Sequence, residues 1–136
     1  MKIETKYAPR IQMLIGYFVL VGIGLLLTIG RWYGVGDSSF VIIPKEITSH
    51  ITNFSLSMII YLVIGYIWLL FGVKFKAIAV LGLAIIIANF GCEIFSTYLN
   101  VPDIVDAVYG VFGVLIAFVF LYFSSKYGLR EKSIAN

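Results

Sequence analysis

The sequence has little charge and few of the residues that build active sites in soluble proteins. Of its 136 residues, 12% are Asp, Glu, Lys or Arg, and it has one histidine, three prolines and one cysteine. The lone Cys92 excludes an intramolecular disulfide, and in an apolar helix we expect it to be a small buried packing residue. No metal-ligand spacing and no nucleophile paired with a base is present. The sequence therefore predicts no catalytic residue, no metal and no cofactor.

What the sequence has in abundance is apolar residues. They make up 61% of the chain and the mean hydropathy is +1.02, against roughly 45 to 50% apolar residues in soluble domains. A hydrocarbon core of about 30 Å is crossed by about 20 helical residues, and the segments 11–30, 54–73, 77–96 and 105–123 are apolar over such a length. We therefore predict an all-α integral membrane protein, a bundle of four transmembrane helices.

The segments between the apolar runs are too short for a second domain. The longest, 31–53, contains the apolar run 40–44, whereas an independent soluble domain needs roughly 40 residues or more. We predict one membrane domain over residues 1–136, and leave open how residues 37–44 lie on the bundle. A signal peptide is the alternative for the first run, but its 20 residues exceed an apolar signal region of about 7 to 15.

The basic residues are unevenly distributed about the four runs, and this predicts the topology. Short cytoplasmic segments carry the excess of Lys and Arg, so both termini are expected in the cytoplasm and the loops 31–53 and 97–104 outside it. The net charge of +3 is thus explained without a nucleic-acid partner, and membrane lipids are the expected contacts. One side receives Lys2, Lys6, Arg10, Lys74, Lys76, Lys126, Arg130 and Lys132; the other receives Arg31 and Lys45.

Polar residues stand at the start of the second run. Pro44 suits the first turn of a short helix, and if that helix continues into the run, His50, Asn53 and Ser57 share one side at offsets of three and seven. His50 as a solvated interfacial residue and His50 as a ligand-binding residue both remain open.

The third and fourth runs meet at a group of carboxylates. A central membrane carboxylate costs roughly 2.5 to 3.5 kcal/mol, which makes Glu93 at the end of the third run notable. Asn89 lies one turn deeper on the same face and is expected within hydrogen-bonding reach of Glu93. Asp103 is expected to cap the fourth helix, and Asp106 shares a face with Asp103, Gly110 and Gly113, which predicts that it points inward.

The segment 93–113 resembles the C-terminal signature of the VanZ-like family. Glu93, Asp103, Asp106 and Gly113 match its glutamate, two aspartates and glycine, and residues 50–54 are similar to its histidine-containing start of the second helix. Ser96, Asn100 and Gly110 stand where that family has glutamine, arginine and asparagine. The resemblance implies a small multi-pass protein of the bacterial cell membrane, connected with the cell envelope and with resistance to the antibiotic teicoplanin.

One extracytoplasmic polar site is the functional hypothesis that these positions favour. Helix-bundle ends with a few convergent polar groups bind small ligands, here an envelope lipid, a cell-wall precursor or a glycopeptide-type antibiotic. Glu93 and Asp106 would accept hydrogen bonds, and Arg31 and His50 would donate them. The candidate ligand-binding residues are Arg31, His50, Asn53, Asn89, Glu93, Asp103 and Asp106.

Other functions stay open at this point. The carboxylates could pair with Arg31 and His50 as ionic locks in a small structural or accessory membrane subunit. An outer-leaflet lipid-modifying enzyme would use one carboxylate as base and another as acid, although no nucleophile supports it. Proton-coupled transport is disfavoured because the cytoplasmic halves of the runs lack polar residues. Monomer and homo-oligomer are not distinguished.

Overall fold

The computed structural model describes residues 5–34, 45–95 and 103–132, without the side chains of 32–34 and 45–48. Four of its helices are long and apolar enough to cross a membrane, which confirms the predicted multi-pass helical architecture. Pro44, Ser96, Asn100 and the loop 37–44 lie outside the described residues. The elements are β1 (Tyr7–Pro9), α1 (Ile11–Gly34), α2 (Lys45–Leu70), α3 (Phe75–Phe95), α4 (Ile104–Tyr127) and β2 (Leu129–Glu131).

Helix α2 begins before the apolar run and ends within it. Its 26 residues correspond to about 39 Å at 1.5 Å per residue, so the short polar helix does continue into the second span. The apolar run extends to residue 73, but α2 ends at Leu70 because Gly72 takes a φ of 81°, a left-handed conformation that glycine adopts at little cost. The chain then turns directly into α3.

Helices α2 and α4 form the centre of the bundle, with α1 packed on α2 and α3 packed mainly on α4. Within the apolar part of each helix, 44% of α2 and 33% of α4 is buried, against 6% of α1 and 11% of α3. The outward side chains of α1 and α3 are apolar, which fits contact with lipid. The core consists of Met58, Tyr61, Leu62, Tyr66, Leu69, Ile78, Val114, Ala117 and Leu121.

The glycine face of α4 points inward, as predicted. A Cβ atom at Gly113 would collide with the backbone carbonyl of Phe54 on α2, and one at Gly110 would collide with the side-chain amide of Asn89 on α3. Small residues of this kind let helix backbones approach closely in a membrane. Asp106 is therefore held at the start of the face that α4 turns toward its neighbours.

The expectation for Cys92 is wrong, because its side chain is exposed on α3. Helix α3 buries only a narrow strip, represented by Ile78 and Gly82, and Cys92 lies outside it. Its outward direction suits contact with lipid tails, since a free cysteine behaves as a small hydrophobic residue.

A short antiparallel ribbon joins the two ends of the described chain and was not predicted. Strand β1 pairs with β2 in the register Ala8 with Arg130, and the Arg10 amide donates to the Gly128 carbonyl at 2.7 Å. Lys6 packs against Gly72 in the turn between α2 and α3. The start of α1, the end of α4 and this turn thus share one end of the bundle, called the ribbon end. Its cytoplasmic location stays a prediction.

Candidate functional site at the polar end

The end of the bundle opposite the ribbon, called the polar end, carries the predicted site residues. The last turns of α1 and α3 meet there with the first turns of α2 and α4, because the short connections make successive helices antiparallel. The polar contacts described at this end form four groups: one between α2 and α4, one between α3 and the start of α4, one between α2 and α3, and one between α1 and α2.

His50 and Asp106 form the central pair of the site and join α2 to α4. His50 Nδ1 lies 2.6 Å from Asp106 Oδ1, and their side chains are 16% and 28% exposed. A contact this short between a ring nitrogen and a carboxylate oxygen needs a proton, so Nδ1–H donates to Asp106. The Tyr109 ring packs 5.4 Å from the imidazole, measured between ring centroids. The pair therefore fixes both the orientation and the tautomer of His50.

Asp103 lies beside this pair and caps α4, as predicted. Its Oδ1 accepts a hydrogen bond of 3.0 Å from the Val105 amide, which satisfies one of the free N–H groups of the first turn. Its Oδ2 stands 3.7 Å from His50 Nδ1, an ion-pair separation rather than a hydrogen bond. Asp103 thus uses one oxygen for the fold and presents the other to the imidazole.

Glu93 holds the start of α4 in place from the end of α3. Its Oε2 accepts a hydrogen bond of 3.1 Å from the Asp103 amide. Because Glu93 lies in the last turn of its helix and has a backbone donor, its carboxylate avoids the cost of a position at the centre of the bilayer. Among the described contacts, Glu93 positions Asp103 and forms no hydrogen bond with Asp106.

Asn89 bonds to a different partner from the one expected. Its amide donates to the Ser57 hydroxyl at 3.0 Å, and that hydroxyl stands 3.1 Å from the Asn89 oxygen; the expected bond to Glu93 is absent from the described contacts. Ser57 is buried, so the polar side of α2 points into the bundle. Asn53 is half-buried and joins neither this pair nor the His50 group.

Arg31 lies on the other side of α2, away from the carboxylates. Its Nη1 donates to the Thr52 hydroxyl at 2.6 Å, and the hydroxyls of Thr28 and Ser55 are 2.7 Å apart one turn deeper. Residues two apart on a helix do not share a face, so Thr52 faces α1 while His50 faces α4. Among the described side chains, Arg31 forms no ion pair with a carboxylate.

Sequence reasoning missed the hydroxyl partners of Arg31 and Asn89. Thr52 and Ser55 are three apart, as are Thr28 and Arg31, so each pair shares a helix face. That spacing was a usable signal for a polar contact between two helices. Nothing in the local sequence indicates that these two faces meet each other.

The chemistry of the central group is rich in acceptors and negative charge. His50, Asp103 and Asp106 each offer a ligand atom, and these atoms lie within 4.8 Å of one another. Among the described side chains, His50 is the only basic group within ion-pair distance of the two aspartates. Such a group can bind a cation or a ligand that carries N–H or O–H donors.

Comparison of the chain with protein-family models, curated proteins and solved structures found no match. The resemblance to the VanZ-like family therefore rests on its matching sequence positions. Of these, Glu93 and Asp103 are hydrogen-bonded, and Asp106 and Gly113 share the inward face of α4.

Proposed function

We propose that this chain is a VanZ-like multi-pass protein of the bacterial plasma membrane that binds the headgroup of a membrane amphiphile at its polar end. The observation that carries the proposal is the His50–Asp106 pair, which holds polar groups from two central helices together. The proposed ligands are an envelope lipid, a cell-wall precursor and a glycopeptide-type antibiotic. The proposed site is extracytoplasmic.

The charge of the site narrows the chemistry of the headgroup. Asp103, Asp106 and Glu93 supply carboxylates, whereas Arg31 is bonded to Thr52 on the opposite side of α2. A phosphate would meet these carboxylates as like charges, which repel, so a bare phosphate is disfavoured. Ammonium, amide and hydroxyl groups are favoured, because they donate hydrogen bonds to carboxylates.

Binding to purified protein tests the proposal. Native mass spectrometry of detergent-solubilised protein in EDTA, with phosphatidylethanolamine, phosphatidylglycerol and teicoplanin as probes, should show preferred binding of an amine-bearing probe. Asp106→Asn should weaken that binding at least about tenfold, because a charge-assisted hydrogen bond contributes roughly 1.5 to 3 kcal/mol. Glu131→Gln removes one negative charge at the ribbon end and should leave binding unchanged. Equal binding by wild type and Asp106→Asn would refute the proposed site.

A structural or accessory subunit is the second candidate, and one observation favours it. Several polar contacts at this end join two elements, among them His50 with Asp106, Glu93 with Asp103, and Arg31 with Thr52. Such contacts fix the register of neighbouring helices. If Asp106→Asn and Glu93→Gln lower the yield of folded protein in parallel with any loss of binding, the subunit is the better assignment.

A further inference from the structure

The side chains of His50, Asp103 and Asp106 offer three ligand atoms close enough together to hold a metal ion. One carboxylate belongs to the N-cap residue of α4 and the other to its first turn, and the imidazole comes from the facing helix α2. Helix bundles build metal sites in this way, with ligands three residues apart on one helix and a further ligand on its neighbour. We propose that these three residues bind one first-row divalent transition-metal ion of the Zn²⁺ class.

The spacing of the ligand atoms suits such an ion. Bonds of Zn²⁺ to imidazole nitrogen and carboxylate oxygen are about 2.0 to 2.2 Å long, so two ligand atoms of one ion are roughly 3 to 4 Å apart. Nδ1 of His50 lies 2.6 Å from Asp106 Oδ1 and 3.7 Å from Asp103 Oδ2. All three ligand atoms lie within 4.8 Å of one another, so side-chain rotations that separate His50 from Asp106 and draw Asp103 closer bring them to coordination distances.

The hydrogen bonds that hold Asp103 in place leave its Oδ2 free, and an ion would replace the proton between His50 and Asp106. Capping of α4 uses Oδ1 of Asp103, and Glu93 receives the backbone amide of the same residue, which fixes Asp103 without occupying its Oδ2. The Tyr109 ring supports the imidazole. Outer contacts of this kind orient metal ligands, and three protein ligands leave coordination positions open for water or a substrate group.

The donor types select the kind of ion. Imidazole suits Zn²⁺, Cu²⁺, Ni²⁺ and Fe²⁺, whereas Mg²⁺ and Ca²⁺ are bound through oxygen ligands. A divalent cation also offsets the repulsion between the carboxylates of Asp103 and Asp106. Coordination through Nδ1 uses the lone pair of that nitrogen, so the neutral imidazole changes tautomer: the Nδ1 proton is released to solvent and Nε2 takes up a proton from solvent.

The tautomer change gives a direct readout because His50 is the sole histidine. Protein labelled with ¹⁵N-histidine, without a histidine tag and reconstituted in nanodiscs, is titrated with ZnSO₄ and observed by NMR. We expect the Nδ1 resonance to move from a protonated to a metal-bound position and to saturate at one equivalent. An imidazole spectrum unchanged by excess Zn²⁺ would overturn the metal site.

Variants separate the ligands from the fold. His50→Asn keeps an amide that can donate to Asp106 but removes the imidazole, so calorimetry should show loss of Zn²⁺ binding with unchanged thermal unfolding. Asp103→Asn and Asp106→Asn should each weaken binding at least about tenfold. Cys92→Ala excludes the exposed thiol and should bind Zn²⁺ like wild type, while Mg²⁺ should give no response. Full Zn²⁺ binding by His50→Asn would contradict the assignment.

The metal site shares residues with the proposed headgroup site but does not depend on it. The lipid probes are tested in EDTA and the Zn²⁺ titration is done without them, so either result can fail while the other stands. Probe binding that rises when Zn²⁺ is restored would show that the ion and the headgroup occupy one site together.

Discussion

At the scale of single residues, the polar end shows how an acidic side chain is accommodated at the edge of a membrane bundle. Glu93 accepts a backbone hydrogen bond from Asp103, and Asp106 accepts one from His50. Both carboxylates lie in a terminal helical turn, where a donor from a neighbouring element reaches them. Each carboxylate has a defined hydrogen-bond donor, which lowers the free-energy cost of its partial burial.

The Glu93 contact predicts a difference between two substitutions. Glu93→Gln keeps an oxygen that can accept from the Asp103 amide, so we expect a loss of at most about 1 kcal/mol in unfolding free energy. Glu93→Leu removes the acceptor and should cost roughly 1 to 3 kcal/mol. Thermal unfolding in detergent measures both. Equal destabilisation by the two variants would show that the charge, rather than the hydrogen bond, stabilises this position.

The partner of each site residue could be predicted only within one helix. The shared face of Asp103 and Asp106 follows from their spacing of three and from the glycines that continue it. His50 is separated from Asp106 by 56 residues, and its partner depends on which sides of α2 and α4 meet. Arg31 shows the same limit, since its spacing to Thr28 was visible and its contact with Thr52 was not.

At the scale of elements, close contact between α2 and α4 holds the site together. Gly113 sits against the Phe54 backbone, two turns beyond Asp106 on the same face of α4. Tyr61 on α2 donates to the Ile78 carbonyl of α3 at 2.9 Å, which fixes the third helix against this central pair. The spacing between His50 and Asp106 is therefore set by backbone packing below them.

Substitution of Gly113 tests this arrangement. Gly113→Ala adds a Cβ against a backbone carbonyl that cannot rotate away, so we expect a loss of about 1 to 3 kcal/mol or more and weaker binding at the polar end. Gly22→Ala is the matched control, since a Cβ there meets open space and alanine favours helix by about 1 kcal/mol. The two are compared by thermal unfolding. An equally stable Gly113→Ala would contradict close packing of α2 on α4.

Helix number and approximate length were predictable, whereas helix arrangement was not. Hydropathy located all four spans because an apolar run of about 20 residues with hardly any charge is typical of a membrane-spanning helix. Each helix has apolar side chains on every face, so the sequence could not show that α2 and α4 are central. Hydropathy alone does not show where α2 ends, because the apolar run continues through Gly72, whose backbone conformation stops the helix.

At the scale of the whole molecule, the two ends of the described chain meet in one ribbon. Each strand has three residues, and the paired residues are 120 or more apart in the sequence. A three-residue strand gives too weak an alternation of apolar and polar residues to be predicted. The ribbon places the basic residues Lys6, Arg10, Arg130 and Lys132 at one end and the carboxylate site at the other. Which of the two ends is cytoplasmic stays a prediction.

Cross-linking tests the ribbon. In a Cys92→Ser background, cysteines at Ala8 and Arg130, which are paired in register, should form a disulfide on mild oxidation in membranes. The pair of Ala8 and Gly30, at opposite ends of α1, should not. Cross-linking of the second pair with similar yield would contradict the arrangement.

The central claim is that His50 and Asp106 form one hydrogen-bonded pair at the polar end, and the imidazole spectrum of the metal-free protein tests it most directly. With ¹⁵N-histidine protein in nanodiscs and EDTA, we expect a single protonated Nδ1 whose proton is shifted downfield by the carboxylate, and loss of that shift in Asp106→Asn. A spectrum dominated by the Nε2–H tautomer and unchanged in Asp106→Asn would contradict the account.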